Sequence, residues 1–203
     1  MNCNVGKVRL KIPKGWTRIP SASDMPECVA LFSKTDSARC AVQLQPVAQD
    51  ECMPFDEPQQ VIDGIHDVLE ENQGLIEVKA ASEERGRFIY SIVKTLQEPS
   101  GVLYILTADL AVRSGYVRLQ GWFNEMGTTG MRDNMVFAMK LKGATQDFDR
   151  IRSGWARDPY DKDYTRGALM NASEDECYDQ LFPDHPLSVA RRFVAQIIEG
   201  NLV

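Results

Sequence analysis

"GVLYILTADLAVRSGYVRLQGWFNE", residues 101–125, consists of two alternating runs joined by a short break. Tyr104, Leu106, Ala108 and Leu110 share one side of the first run, and Val117, Leu119 and Phe123 share one side of the second. Period two over such lengths is the pattern of half-buried strands, and Ser114–Gly115 is a break of hairpin length. A helix can cover such an apolar face.

Upstream, "LIEVKAAS" (75–82) and "GRFIYSIVKTLQ" (86–97) read as two more strands, with "QEPSG" (97–101) as a second tight break. Four strand candidates in succession make an antiparallel meander. Nearer the N-terminus, "KVRLKIP" (7–13) sets Val8, Leu10 and Ile12 against Lys7, Arg9 and Lys11, and Pro13 stops it. "CVALFSK" (28–34) and "ARCAVQLQPV" (38–47), separated by "TDS", are expected to pair as a hairpin.

Between these groups the period changes. In "FDEPQQVIDGIHDVLEEN" (55–72), Val61, Ile62, Ile65, Val68 and Leu69 fall on one helical face while Asp63, Asp67, Glu70 and Glu71 point away. Asp56 is the expected cap, Pro58 lies in the first turn, and Asn72 and Gly74 supply the stop. "MRDNMVFAMKLK" (131–142) predicts a second helix with Met131, Met135, Ala138 and Met139 on one side and Thr128 or Thr129 as cap.

The loop ahead of that helix, "GTTGMRDN" (127–134), has the glycines of a phosphate cradle. A P-loop needs G-x-x-x-x-G-K-[ST], and here Gly130 is followed by Met131 and Arg132, so the lysine is missing. Nucleotide loops of that kind also sit on parallel sheets, whereas these strands form a meander. The stretch reads as a strand-to-helix turn, with Arg132 paired to a neighbouring carboxylate.

The strand ending in "IPKGW", the capped helix, the meander with its "GWF" strand and the "TGMRDNMVFAMKLK" helix together resemble the PsbP-like superfamily over residues 7–142. That superfamily includes the photosystem oxygen-evolving-complex subunit and a Ran-binding nuclear import factor. The resemblance implies an α+β fold: a six- to seven-stranded antiparallel sheet with helices packed against it, followed here by a helical C-terminal extension. It also implies a non-catalytic role, since members act as binding partners or assembly factors and some bacterial relatives are chaperones for secreted effectors. It brings no catalytic residues, and the import factor's partner-binding positions are not recognisable in this chain.

Residues 1–142 are therefore expected to form the PsbP-like domain, and residues 143–203 an extension packed on or beside it. The extension carries 7 Lys and Arg against 11 Asp and Glu, so the acidity of the chain is concentrated there. Phe148, Trp155, Tyr160 and Tyr164 are too many aromatics for a flexible linker, and Trp155, Tyr160, Tyr164, Tyr178 and Phe182 are the candidate partner-binding residues. "SEDECYDQLF" (173–182) offers Ser173 and Glu176 as a capping box. "DHPLSVARRFVAQIIEG" (184–200) predicts a helix capped by Asp184 and ended by Gly200, with Leu187, Ala190, Val194, Ile197 and Ile198 on one face.

Chemistry-bearing motifs are missing. "DPYDKDYTRG" (158–167) has Asp161, Asp163 and Thr165 at alternate positions, but Arg166 stands where a calcium loop needs glycine and Ala172 where it needs glutamate. The two histidines, His66 and His185, read as a boundary residue and a surface residue, and no zinc spacing or nucleophile motif occurs. No cofactor is expected.

The 203 residues carry a net charge of −6, with no clustered Lys and Arg, which argues against nucleic acid as a partner. No apolar run is long enough for a membrane span, and the start of the chain has no signal-like apolar stretch. Five scattered cysteines without a C-x-x-C pair point to thiols in a reducing compartment, with Cys40 as a small buried hydrophobe. The resulting expectation is a protein-binding adaptor or chaperone-like protein of the bacterial cytoplasm. The alternatives are an enzyme with a dispersed carboxylate and histidine site, or a self-associating structural subunit.

Overall fold

The computed structural model describes residues 1–20, 27–143 and 148–203. A short hairpin, β1 (Asn2–Val5) and β2 (Val8–Lys11), precedes a seven-stranded antiparallel sheet. The sheet is built from β3 (Thr17–Ile19), β4 (Val29–Lys34), β5 (Ala38–Pro46), β6 (Gln73–Glu83), β7 (Gly86–Leu96), β8 (Val102–Val112) and β9 (Gly115–Glu125). Its order is β3-β4-β5-β9-β8-β7-β6, so the last strand of the meander returns to pair with β5. Among the described residues four helices accompany it: α1 (Pro58–Val68), α2 (Met131–Gly143), α3 (Phe148–Ser153) and α4 (Pro186–Asn201). Two short strands, β10 (Ala156–Arg157) and β11 (Met170–Asn171), pair within the C-terminal segment. The architecture is α+β.

Alternation along the strands decides what covers each face. Leu106, Leu119, Phe123, Val42 and Leu31 form one apolar core with Leu187, Phe193, Val194 and Ile197 of α4 and with Leu10 and Ile12 from the N-terminal hairpin. Trp16 closes it against Phe193, with ring centroids 4.3 Å apart. Each fully buried side chain of this size contributes about 1.5–3 kcal/mol, so α4 is integral to the fold. Cys40 lies in the same core, and burial pushes its thiol up to about 12. On the opposite face, Val61, Ile62 and Leu69 cover Leu75, Val78 and Ile89 of β6 and β7. Beyond α1 that face continues through Ile105, Trp122, Ala41 and Phe32, in register and half-buried.

Several local expectations give way to tertiary demands. Glu57, not Asp56, precedes α1, because Asp56 Oδ2 is held by Arg87 at 2.7 Å. Val68 is exposed and the helix ends there. Gly74 does not stop it but lies inside β6, where a Cβ would run into the carbonyl oxygen of Ala168. The predicted short helix after Ser173 is two 3-10 turns, Ala172–Glu174 and Glu176–Tyr178, and its capping box is Asn171 with Glu174. His185 caps α4 in place of Asp184, its Nδ1 accepting from the Leu187 amide at 3.3 Å. Gly200 lies within α4, which ends at Asn201, where Asn201 Oδ1 accepts from the Lys11 amide at 2.8 Å. Among the described residues no helix is long and apolar enough to cross a membrane.

Candidate partner-binding surface

The turn "GTTG" delivers the chain from β9 into α2. Gly127 and Gly130 have φ of +73° and +72°, the left-handed region that side chains disfavour, so both glycines serve the turn. Glu125 Oε1 accepts from the Gly130 amide at 2.9 Å, and Thr129 Oγ1 donates to Ser100 Oγ at 3.2 Å. These bonds fix where α2 starts and how it is rotated.

That rotation is opposite to the one hydropathy suggests. Arg132 and Val136 face inward, at 1 % and 0 % exposure, while Met131, Met135 and Met139 face out at 50 %, 49 % and 46 %. Ala138 is also exposed. The reason lies in the C-terminal segment, which surrounds the guanidinium with acceptors. Arg132 Nε donates to the Ser173 carbonyl at 2.7 Å, Nη1 to Asp179 Oδ1 at 3.0 Å and Ser188 Oγ at 2.9 Å, and Nη2 to the Asp175 carbonyl at 3.1 Å. Asp133, next along the helix, accepts from Ser173 Oγ and from Asn171 Nδ2. A buried guanidinium needs this saturation, and turning it inward presents the methionines to solvent.

A cavity of about 480 Å³ opens at the head of α2, bounded by Glu125, Met126, Met131, Leu181, Phe182 and Asp184. Asp36, Thr128, Arg132 and His185 also reach it. Leu181 is 58 % exposed, so its apolar surface continues the methionine stripe. Burial, helped by Arg132 and Arg191, holds His185 at about 3, and the ring is neutral. Burial and nearby Asp133 outweigh the Gly130 amide and raise the Glu125 carboxyl above the usual range.

Deeper in, a polar network ties the extension to the sheet. Arg191 Nε donates to Glu77 Oε2 at 2.6 Å, Tyr90 donates to Glu77 Oε1 at 2.6 Å, and Arg191 Nη1 reaches both oxygens of Asp179 at 3.3 Å. Burial alone would raise Glu77, but Arg191, Lys79 and Tyr90 together leave it lowered. Lys94 Nζ and Tyr104 donate to Glu174 at 2.7 and 2.8 Å. Nothing local in the sequence marks Arg132, Arg191, Glu77, Lys94 or Glu174 as buried. The partners that join Arg132, Lys94, Glu77 and the sheet to the extension lie 41 to 114 residues apart, and that separation hides the network.

The candidate aromatics of the extension are distributed around this framework and do not form one patch. Trp155 meets Phe137 edge-on at 5.1 Å. Tyr160 is exposed on one side, but its hydroxyl bonds the backbone of Val78. Tyr164 stacks on His66 at 4.1 Å. Tyr178 is half-buried, and Phe182 lies under the Arg132 guanidinium at 5.8 Å, in the cavity wall. His66 also bonds Asp158 Oδ2 at 2.9 Å, while the other oxygen of Asp158 accepts from the Tyr160 and Asp161 amides. The pair fastens α1 to the extension. His185 is buried and not a surface residue, because its ring caps α4.

No protein-family model and no curated protein matches the chain. Among solved structures it is similar to the cyanobacterial PsbP (CyanoP) of Synechocystis, with 15 % identity over 75 % of this chain and 89 % of that one, at a TM-score of 0.37. It is also similar to LpqN of Mycobacterium tuberculosis, a protein involved in cell envelope biogenesis, with 14 % identity over 66 % of this chain and 76 % of that one, at a TM-score of 0.34.

Proposed function

We propose that this chain is a non-catalytic protein-binding protein of the adaptor or chaperone kind, working in the cytoplasm, and that it binds through the outward face of α2 together with Leu181. The observation that carries this reading is the row of half-exposed methionines beside an open cavity. Contiguous exposed apolar side chains mark interaction sites on otherwise well-buried proteins. Methionine suits such a surface because its unbranched, polarizable side chain adapts to a partner's shape. Thiols at Cys3, Cys40, Cys52 and Cys177 support a reducing compartment.

The test is capture of partners from host lysate by the parent protein and by Met135→Glu, with recovered proteins identified by mass spectrometry. Specific proteins held by the parent and lost with Met135→Glu are the expected result. Proteins retained equally by both would move the binding surface away from α2.

A further inference from the structure

We propose that the outward face of α2 docks on the same face of a second copy, antiparallel about Met135, so that the partner subunit's Lys142 enters the cavity beside Glu125 and Asp184. This rests on the protein-binding reading of that surface and names its occupant.

The face is self-complementary in spacing. Met131, Met135 and Met139 follow one another at four-residue intervals, so a two-fold axis at Met135 sets Met131 against the partner's Met139. Lys142 is exposed, and it lies seven residues beyond Met135, two turns along the same side of the helix. Seven residues correspond to about 10.5 Å of rise. On the other side of Met135 the helix reaches back four residues to Met131, its first residue, which lines the cavity together with Thr128 of the preceding turn. The symmetry that pairs the methionines therefore brings each Lys142 level with the other copy's cavity.

The face is also complementary in charge. Glu125, Asp184 and Asp36 reach the cavity, and the arginine that lines it, Arg132, is spent on Asp179, Ser188 and two carbonyls. His185 contributes no charge, since its ring is neutral. A lysine arriving from outside meets carboxylates without a competing free cation in the cavity wall. Antiparallel docking also sets the negative end of each helix beside the positive end of the other.

Sedimentation velocity on the 203-residue chain tests this, with circular dichroism confirming that each variant is folded. The chain should sediment at 22.8 kDa when dilute and move to twice that mass as concentration rises. Lys142→Glu should weaken the dimer about tenfold, Met135→Glu should abolish it, and Lys142→Glu combined with Asp184→Lys should restore most of the loss. A chain that stays at 22.8 kDa throughout, or a dimer indifferent to Lys142→Glu and Met135→Glu, overturns the proposal. If the chain is monomeric and lysate proteins are still lost with Met135→Glu, the self-docking fails while the protein-binding reading of the surface stands. If neither occurs, both fall.

Discussion

The hydroxyl of Tyr160 bonds both backbone groups of Val78, accepting from its N–H at 2.5 Å and donating to its carbonyl at 3.1 Å. Val78 belongs to β6, the edge of the sheet, where unpaired backbone groups are a template for association with other chains. One phenol thus stands in for a neighbouring strand. Tyr160→Phe keeps the ring and removes both bonds. It should lower stability by about 1 kcal/mol. Denaturant unfolding measures that loss, and hydrogen exchange should show the Val78 amide losing protection before the rest of β6.

Five residues earlier on the same edge, the Gln73 carbonyl accepts from the Ala168 amide at 2.8 Å, and Gly74 leaves room for that approach. Gly74→Ala should push the 158–168 segment off β6, at a cost of about 1–3 kcal/mol. Limited proteolysis should then cut within that segment at protein concentrations where the parent is resistant.

Arg132 tests the inverted rotation of α2. Arg132→Ala would leave the Ser173 and Asp175 carbonyls without this donor and Asp179 with Arg191 as its remaining cation, which should cost about 3–5 kcal/mol. Arg132→Lys should recover little, because an ammonium cannot serve four acceptors arranged around a planar guanidinium. Thermal unfolding measures both, with about 2–4 °C expected for each kcal/mol in a chain of this size. An Arg132→Ala protein as stable as the parent would show that the network does not hold α2.

Acid sensitivity should trace in part to His185, whose native value is depressed from 6.5 to about 3. Between those values the unfolded chain binds a proton that the folded protein refuses, so stability falls as pH drops through this window. The slope is at most about 1.4 kcal/mol per pH unit for one proton. His185→Asn keeps a side-chain acceptor for the Leu187 amide. Urea midpoints of that variant should change less than the parent's between pH 6.5 and 4.5, the range above that in which lowered Glu77 also takes up its proton. Equal slopes would remove His185 from the account.

The strands were legible without coordinates because period-two alternation is a property of each residue and its close neighbours. Tyr104, Leu106, Ala108 and Leu110 turned inward as their spacing dictates, and the hairpins followed from the breaks between runs. The face of α4 was equally plain, since Leu187, Ala190, Val194 and Ile197 are apolar and find an apolar sheet. For α2 the local pattern pointed the wrong way: three methionines outweigh one arginine on any hydropathy scale. Only the folded chain brings Ser173, Asp175, Asp179 and Ser188 around Arg132, and with those acceptors in place the guanidinium is the side chain that goes inside. Apolar burial depends on the residue itself, whereas burial of a charge depends on partners that distant parts of the chain must supply. Local alternation is therefore enough to lay out the strands and the apolar face of α4, while the acceptors gathered from the C-terminal segment choose which face of α2 meets solvent.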